Sequence, residues 1–276
     1  MRYSKPFQTH RVRRTALAGL LLLVVASVGR AQTTAPAVDP EKVQITSWIV
    51  FGKGGEDNLH MDMARPAAGK GPFPAVVCIH GGGWMIGHRV THHRTIKLLA
   101  AHGYVAVSID YRLAPKHRFP AQLEDAKCAV RYLRANAAKY GIDPNRIAAM
   151  GDSAGGHLAQ LLGFTEAADK LEGVGGCAEQ SSKVQAVINY FGPADFRQWR
   201  LSVLVEGLMV KRFGRKLDDL FVDLIGTSDR NDARVARISP ITHIDRNDPP
   251  VITFHGMFDP LVPPQQARML HEALQK

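Results

Sequence analysis

The stretch Arg146-Ile-Ala-Ala-Met-Gly-Asp-Ser-Ala-Gly-Gly-His-Leu-Ala-Gln-Leu-Leu-Gly163 decides how the rest of this 276-residue chain is read. A short apolar run, a sharp turn carrying Ser153 and a helix-forming run follow one another. Gly151 and Gly155 stand two residues to either side of the serine, where a tight strand-to-helix turn leaves no room for a Cβ. This is the G-x-S-x-G nucleophile elbow. It lifts the hydroxyl clear of the backbone, and the free N–H groups and dipole of the following helix face any negative charge that develops there. A bare G-x-S-x-G is a weak signal, but strand and helix flanks strengthen it.

Working outward, Pro74-Ala-Val-Val-Cys-Ile79 is a continuous apolar run, as expected of a strand buried on both faces of a mainly parallel sheet. His80-Gly-Gly-Gly-Trp84 follows at once. Three glycines after a buried strand let backbone N–H groups turn inward, the arrangement that binds a tetrahedral oxyanion in acyl transfer. Gly82 and Gly83 are assigned as donors, with the amide of Ala154 completing the hole. Trp84, which closes the loop, is a candidate substrate contact. Taken without the elbow, the glycines would read as a structural turn.

Tyr104 to Ile109, Gln185 to Tyr190 and Pro250 to Phe254 are further strands. Val43 to Phe51 and Asn58 to Met63 alternate like a β-hairpin. Thr95 to His102, Leu123 to Tyr140 and Pro264 to Lys276 have helical character, and the segment from about 195 to 240 reads as helices covering the mouth of the site. Strands alternating with helices predict a three-layer α/β/α sandwich with a mainly parallel sheet. Reactive groups of such sheets gather beyond the carboxyl ends of the strands, which is where His80, Asp110, Ser153 and Asp259 fall.

A hydrophobic content of 45% and a charged content of 22% suit a globular protein with a large core. The net charge of +10 would suggest nucleic acid. Six of those charges lie in the first 31 residues without an acid, and the remaining +4 forms no basic run, so no nucleic-acid partner is expected. That first segment has a basic region, the apolar run Ala16 to Val28 and small residues at Gly29 and Ala31, which reads as a secretory signal cleaved after Ala31. The apolar run is short for a bilayer span, and stable membrane insertion is not expected. Residues 32–42 read as a linker and 43–276 as one domain, in a secreted or periplasmic protein. Cys78 reads as a core residue; Cys128 and Cys177 could pair in an oxidising compartment, but three cysteines make a poor disulfide framework and the reading leans toward none. No cofactor or metal is implied.

His80-Gly-Gly-Gly-Trp84, Tyr111-Arg-Leu-Ala-Pro115, Gly151-Asp-Ser-Ala-Gly-Gly156 and His255-Gly-Met-Phe-Asp259 occur in the order seen in the α/β-hydrolase superfamily. They resemble its hormone-sensitive-lipase-type carboxylesterases, and within these the secreted bacterial feruloyl- and acetylxylan-esterase-like (BD-FAE-like) group. Gly-Asp-Ser-Ala-Gly-Gly also looks a little like the motif of trypsin-like proteases, but those are all-β and the helical run after Ser153 does not fit them. The resemblance implies Ser153 as nucleophile, Asp259 as the acid and a carboxylic-ester substrate, small or carbohydrate-borne, with an acetyl or feruloyl acyl group. It implies a structural role for His80 and His157.

Superfamily order places a histidine after the acid. Only 17 residues follow Asp259, and their one histidine, His271, reads as an exposed helix residue. His255 reads as buried at a strand end, and His88, His92 and His93 as surface or substrate-rim residues. The sequence is therefore expected to lack its catalytic histidine, and with it the last strand and helix of the fold, as a fragment would. Hydrolysis by the chain as written is expected to be slow or absent. An amide or peptide hydrolase on the same fold, and a non-catalytic binding protein, are the competing readings.

Overall fold

The computed structural model describes residues 42–276; the expected signal segment and nearly all of the linker lie outside them. The hairpin forms as β1 (Val43–Gly54) and β2 (Asp57–Pro66), joined by a two-residue turn at whose first position Gly55 takes a φ of 70°. Next come β3 (Phe73–Ile79), α1 (His93–Ala101), β4 (Val105–Ile109), α2 (Ala121–Ala135), α3 (Ala137–Tyr140), β5 (Ile142–Asp152) and α4 (Ala154–Phe164). β6 (Ala186–Tyr190), α5 (Val203–Phe213), α6 (Leu217–Ile225), α7 (Ala233–Ile238), β7 (Val251–Phe254) and α8 (Gln265–Leu274) complete the described chain.

The seven strands lie in the order β1-β2-β4-β3-β5-β6-β7. β1–β2 and β2–β4 pair antiparallel, and every other pair is parallel. Side chains alternate across the sheet with the period of two that strands impose. Ala75, Val77, Ile79, Val105, Val107 and Ile109 join the cluster that contains Leu123 and Val130 of α2 and Leu158 and Leu161 of α4. Val76, Cys78 and Ala106 point the other way, against Ile96 and Ala100 of α1. Helices thus cover both faces, giving the three-layer α/β/α arrangement that the alternation of elements predicts. Cys78 is fully buried, and Cys128 and Cys177 are both free thiols.

One helix differs from expectation. The run Leu123 to Tyr140 is broken at Asn136, whose φ of −105° and ψ of 19° end α2. Its backbone N–H still donates to the Tyr132 carbonyl at 3.0 Å, and its side-chain amide donates to the same oxygen at 2.9 Å, a local side-chain bond that holds the chain at the helix end. Helical spacing persists across the break, so periodicity alone does not show it.

Candidate active site

β3, β5, β6 and β7 end along one edge, and the loops leaving them build the site. Ser153 follows β5 with φ 51° and ψ −117°, a conformation that a side chain rarely tolerates. Its N–H donates to the Tyr190 carbonyl at the end of β6, at 2.8 Å. The flanking glycines are needed because nothing larger fits: a Cβ on Gly155 would lie 1.9 Å from the Ile79 carbonyl oxygen, and one on Gly151 would lie 2.3 Å from Gly155. The turn is thereby compressed between β3 and α4. Ala154 is the first residue of α4, so its N–H has no partner inside the helix.

The loop after β3 is held from several sides. His80 donates from Nδ1 to the Gly81 carbonyl at 2.7 Å, its ring stacks on Tyr111 at 4.2 Å, and the Tyr111 hydroxyl donates to the His80 carbonyl at 3.0 Å. Burial holds the His80 imidazole below its ordinary pKa, which favours the neutral ring this packing needs. Gly82 has a φ of 114° and Gly83 a φ of 60°. The Gly82 carbonyl accepts from Met85 and Ile86 at 3.1 Å each, while the N–H groups of Gly82 and Gly83 donate to nothing else among the described residues. Leu220 of α6 lies 3.4 Å from where a Cβ on Gly83 would stand, so α6 closes over this loop.

Trp84 is a correction to the sequence reading. Its side chain is buried, not presented to a substrate. The indole Nε1–H donates to His157 Nδ1 at 3.2 Å, and the ring packs among Phe196, Trp199 and His157. His157 Nε2–H in turn donates to the Ile238 carbonyl at 2.7 Å, at the end of α7. Trp84 therefore anchors the glycine loop to α4 and the helical segment.

Asp259 sits in the loop after β7. Its Oδ1 accepts from the Leu261 and Val262 amides, both at 2.9 Å, leaving Oδ2 turned away from those donors. His255 braces the same loop by donating from Nε2 to the Val262 carbonyl at 2.6 Å, with Asp259 Oδ2 at 3.9 Å. No histidine among the described residues hydrogen-bonds to the Ser153 hydroxyl. His157 is committed to Trp84 and Ile238, and His255 to Val262. His271 is not a free surface residue as its helix pattern suggests: its Nε2 meets the Thr253 hydroxyl at 2.9 Å. His92 and His93 are also not rim residues. His92 is buried, with Nε2 3.0 Å from Asp152 Oδ1, and His93 meets the buried Asp62 at 2.6 Å.

The profile of the BD-FAE family matches residues 61–274. The chain belongs to the BD-FAE family. Among curated relatives, the esterase LipC of Mycobacterium tuberculosis is 35% identical over 215 residues, covering 74% of this chain and 48% of LipC. The probable carboxylic ester hydrolase LipM of the same organism is 34% identical, covering 80% of this chain and 49% of its own. The chain thus spans about half the length of the curated relatives it matches. Among solved structures, a truncated form of a carbohydrate esterase from gut microbiota superposes with a TM-score of 0.71 at 28% identity, covering 86% of this chain and 85% of that one. Esterase Est2 of Thermogutta terrifontis, in its butyrate-bound form, superposes with a TM-score of 0.67 at 29% identity, covering 85% and 79%.

In this BD-FAE chain one working pair escaped the sequence reading. The Asp152 carboxylate, next to Ser153, accepts from the Gly81 amide at 3.3 Å and meets His92 at 3.0 Å. It ties the glycine loop directly to the turn at Ser153, so the loop amides and the hydroxyl keep one relative position. Asp152 lay in plain view inside the motif; its partners come from two other loops, which spacing does not reveal. Asp152→Ala should speed amide hydrogen exchange in residues 80–87 by about tenfold or more, since a hydrogen bond to a charged group is lost. Mass-spectrometric exchange would check it, and unchanged protection would show that Asp152 does not hold the loop. Among the described residues no group of three or more His, Cys, Asp or Glu side chains is placed to hold a metal ion, and no helix is long and apolar enough to cross a membrane.

Proposed function

We propose that the protein is a serine carboxylic-ester hydrolase working through an acyl-enzyme. The observation that carries this reading is Ser153 in its left-handed turn at the start of α4, beside a glycine loop with two uncommitted amides. In the reaction, Ser153 Oγ attacks the ester carbonyl carbon and the carbonyl oxygen becomes an oxyanion. The amides of Gly82, Gly83 and Ala154 neutralise that charge as it forms, which is the largest contribution a preorganised site makes. Collapse of the intermediate expels the alcohol and leaves the acyl group on Ser153. Water then attacks the acyl-enzyme and releases the acid.

Both steps need an imidazole to carry the proton between Ser153 Oγ, the leaving alcohol and the attacking water, oriented by a carboxylate. Asp259 supplies the carboxylate, and its two backbone donors fix Oδ1. The described residues supply the hydroxyl, the oxyanion donors and the carboxylate, and the oxyanion donors by themselves account for a rate on the order of 10³-fold over water. LipC, LipM and LipQ, each an esterase or probable ester hydrolase, favour esters over amides. The carbohydrate esterase and the bifunctional GH43-CE protein among the structural neighbours favour an ester borne on a carbohydrate, for which the acyl group proposed here is acetyl or feruloyl. Such a substrate agrees with export to the periplasm or medium.

A fluorophosphonate tests the reading. Ser153 Oγ attacks phosphorus, fluoride leaves and the hydroxyl proton goes to a base in solution. The expected result is a slow adduct, located on Ser153 by mass spectrometry, absent from Ser153→Ala and accelerated by added imidazole. A folded chain that takes no adduct at Ser153, with or without imidazole, would overturn the reading and instead support the non-catalytic binding protein.

A further inference from the structure

Trp48 is the anomaly of the outer sheet. It lies in edge strand β1, where the pairing with β2 shifts register between Thr46 and Ile49, and it takes a φ of 60°. A bulky residue in the left-handed region costs on the order of 1 kcal/mol or more and persists only where its surroundings enforce it. Here they do. The Trp48 N–H donates to the buried Asp62 Oδ1 at 2.9 Å, and the Arg89 guanidinium stacks on one face of the indole, 3.9 Å from the ring centre. Arg89, itself buried, is held by Asp62 at 3.1 Å and by Asp110 at 2.6 Å. His60 meets the ring edge-on at 5.4 Å. With one face stacked and one edge touched, the residue is still 66% exposed, so the opposite face of the indole is open to solvent.

The place of this ring in the sheet gives it a use. Ile49, Met61, Ile109, Ile79 and Gly151 form one row of register partners across β1, β2, β4, β3 and β5. Trp48 therefore sits near the same edge as Ser153, four strand spacings away, or about 19 Å. That distance exceeds the reach of a small ester and matches several linked sugar units.

We propose that the open face of Trp48 is a stacking subsite for a sugar ring of a polysaccharide chain whose ester group lies at Ser153; this deepens, and rests on, the esterase reading above. The apolar C–H face of a neutral pyranose or xylopyranose ring complements the electron-rich indole face. A cationic ligand would compete with Arg89, which already draws on the same ring quadrupole. An anion is not called for, because Asp62 and Asp110 balance the guanidinium beneath. Asp62 and Arg89 fix the bulge, so the ring is held ready before the ligand arrives, and little entropy is lost on binding.

The test is binding, which needs no turnover. Trp84 and Trp199 are buried, so a change in tryptophan emission on adding an unsubstituted xylohexaose reports on Trp48. The expected result is such a change, with a Kd by calorimetry that rises about tenfold in Trp48→Ala, the scale of one lost stacking contact. Trp48→Phe, which keeps a ring over Arg89 and guards against misfolding, should fall between. Equal affinity of wild type and folded Trp48→Ala, no binding by the wild type, or an emission change with methyl ferulate but not with xylohexaose would each overturn the proposal. Failure of fluorophosphonate labelling would bear on Ser153 alone, so the two readings fail separately.

Discussion

Replacing Gly155 with alanine is expected to remove most of the soluble, folded protein. The added Cβ would stand 1.9 Å from the Ile79 carbonyl oxygen and 2.7 Å from that of His80, both main-chain atoms that no rotamer change can move. Relief requires either β3 and α4 to separate or Ser153 to leave its turn. Separation would open the packing between Val77 and Ile79 of β3 and Leu158 of α4, all fully buried. Ordinary overpacking costs about 1–3 kcal/mol, and a clash with the main chain of two consecutive residues should exceed about 4 kcal/mol, a large part of the 5–15 kcal/mol that domains of this kind possess. Gly207→Ala gives the matching control. Gly207 lies inside α5 with nothing within 4 Å of its Cβ position, so alanine there should stabilise by up to about 1 kcal/mol through helix propensity. Soluble yield and urea midpoints of the two variants should move in opposite directions. A Gly155→Ala protein as soluble and stable as wild type would show that the elbow is not compressed as described.

Acid should destabilise the protein well above the carboxylate range; His157 is the main cause, and the buried His80 adds in the same direction. Complete burial pushes its imidazole down to about 3 from an ordinary value of 6.5. The neutral ring suits its site: Nε2–H donates to Ile238 and the bare Nδ1 accepts from Trp84. Protonation would set a second N–H against the indole N–H. Between the two values the unfolded chain binds a proton that the folded chain refuses, so stability falls as pH drops through 6.5 toward 3. At about pH 5 the loss is about 2 kcal/mol. Asp248 acts in the opposite direction, because burial raises its carboxyl to about 6 from 3.8, so that protonation between these values favours the fold. Its partial exposure lets solvent discount that gain. Asp62 and Glu172 contribute in the usual sense: burial raises both, but hydrogen bonds and nearby cations lower them further, so their contribution is lost only at lower pH. Urea unfolding of wild type and His157→Gln at about pH 7.5 and pH 5 would check this. The variant should be less stable at the higher pH yet show a clearly smaller drop. Equal drops in both proteins would remove His157 as the source.

The readable parts of this site share one property, which is that their physics is local. Glycines two residues either side of Ser153 mark a turn that only glycine can line, and the apolar runs before His80 and Asp110 mark doubly buried strands. Ser153, Gly82 and Gly83 could therefore be assigned from the motifs, and the resemblance carried Asp259. Trp84 misled because an aromatic after a flexible loop looks available, whereas its burial depends on His157 and Phe196 arriving from elsewhere in the chain. Two of the three clustered histidines, His92 and His93, misled for the same reason, while His88 is exposed as expected. Their spacing says nothing of Asp152 and Asp62, which take up His92 and His93.

By itself, then, the sequence determined the alternation of strands and helices, the turn at Ser153 and the glycine loop that accompanies it, because backbone sterics and side-chain period act over a few residues. Only the tertiary structure decided which side chains support that site. It buried Trp84 against His157, tied Asp152 to Gly81 and His92, and set Trp48 over Arg89 with one face open. Each of those contacts joins segments far apart in the chain, and burial is a property of what packs against a residue, not of the residues beside it.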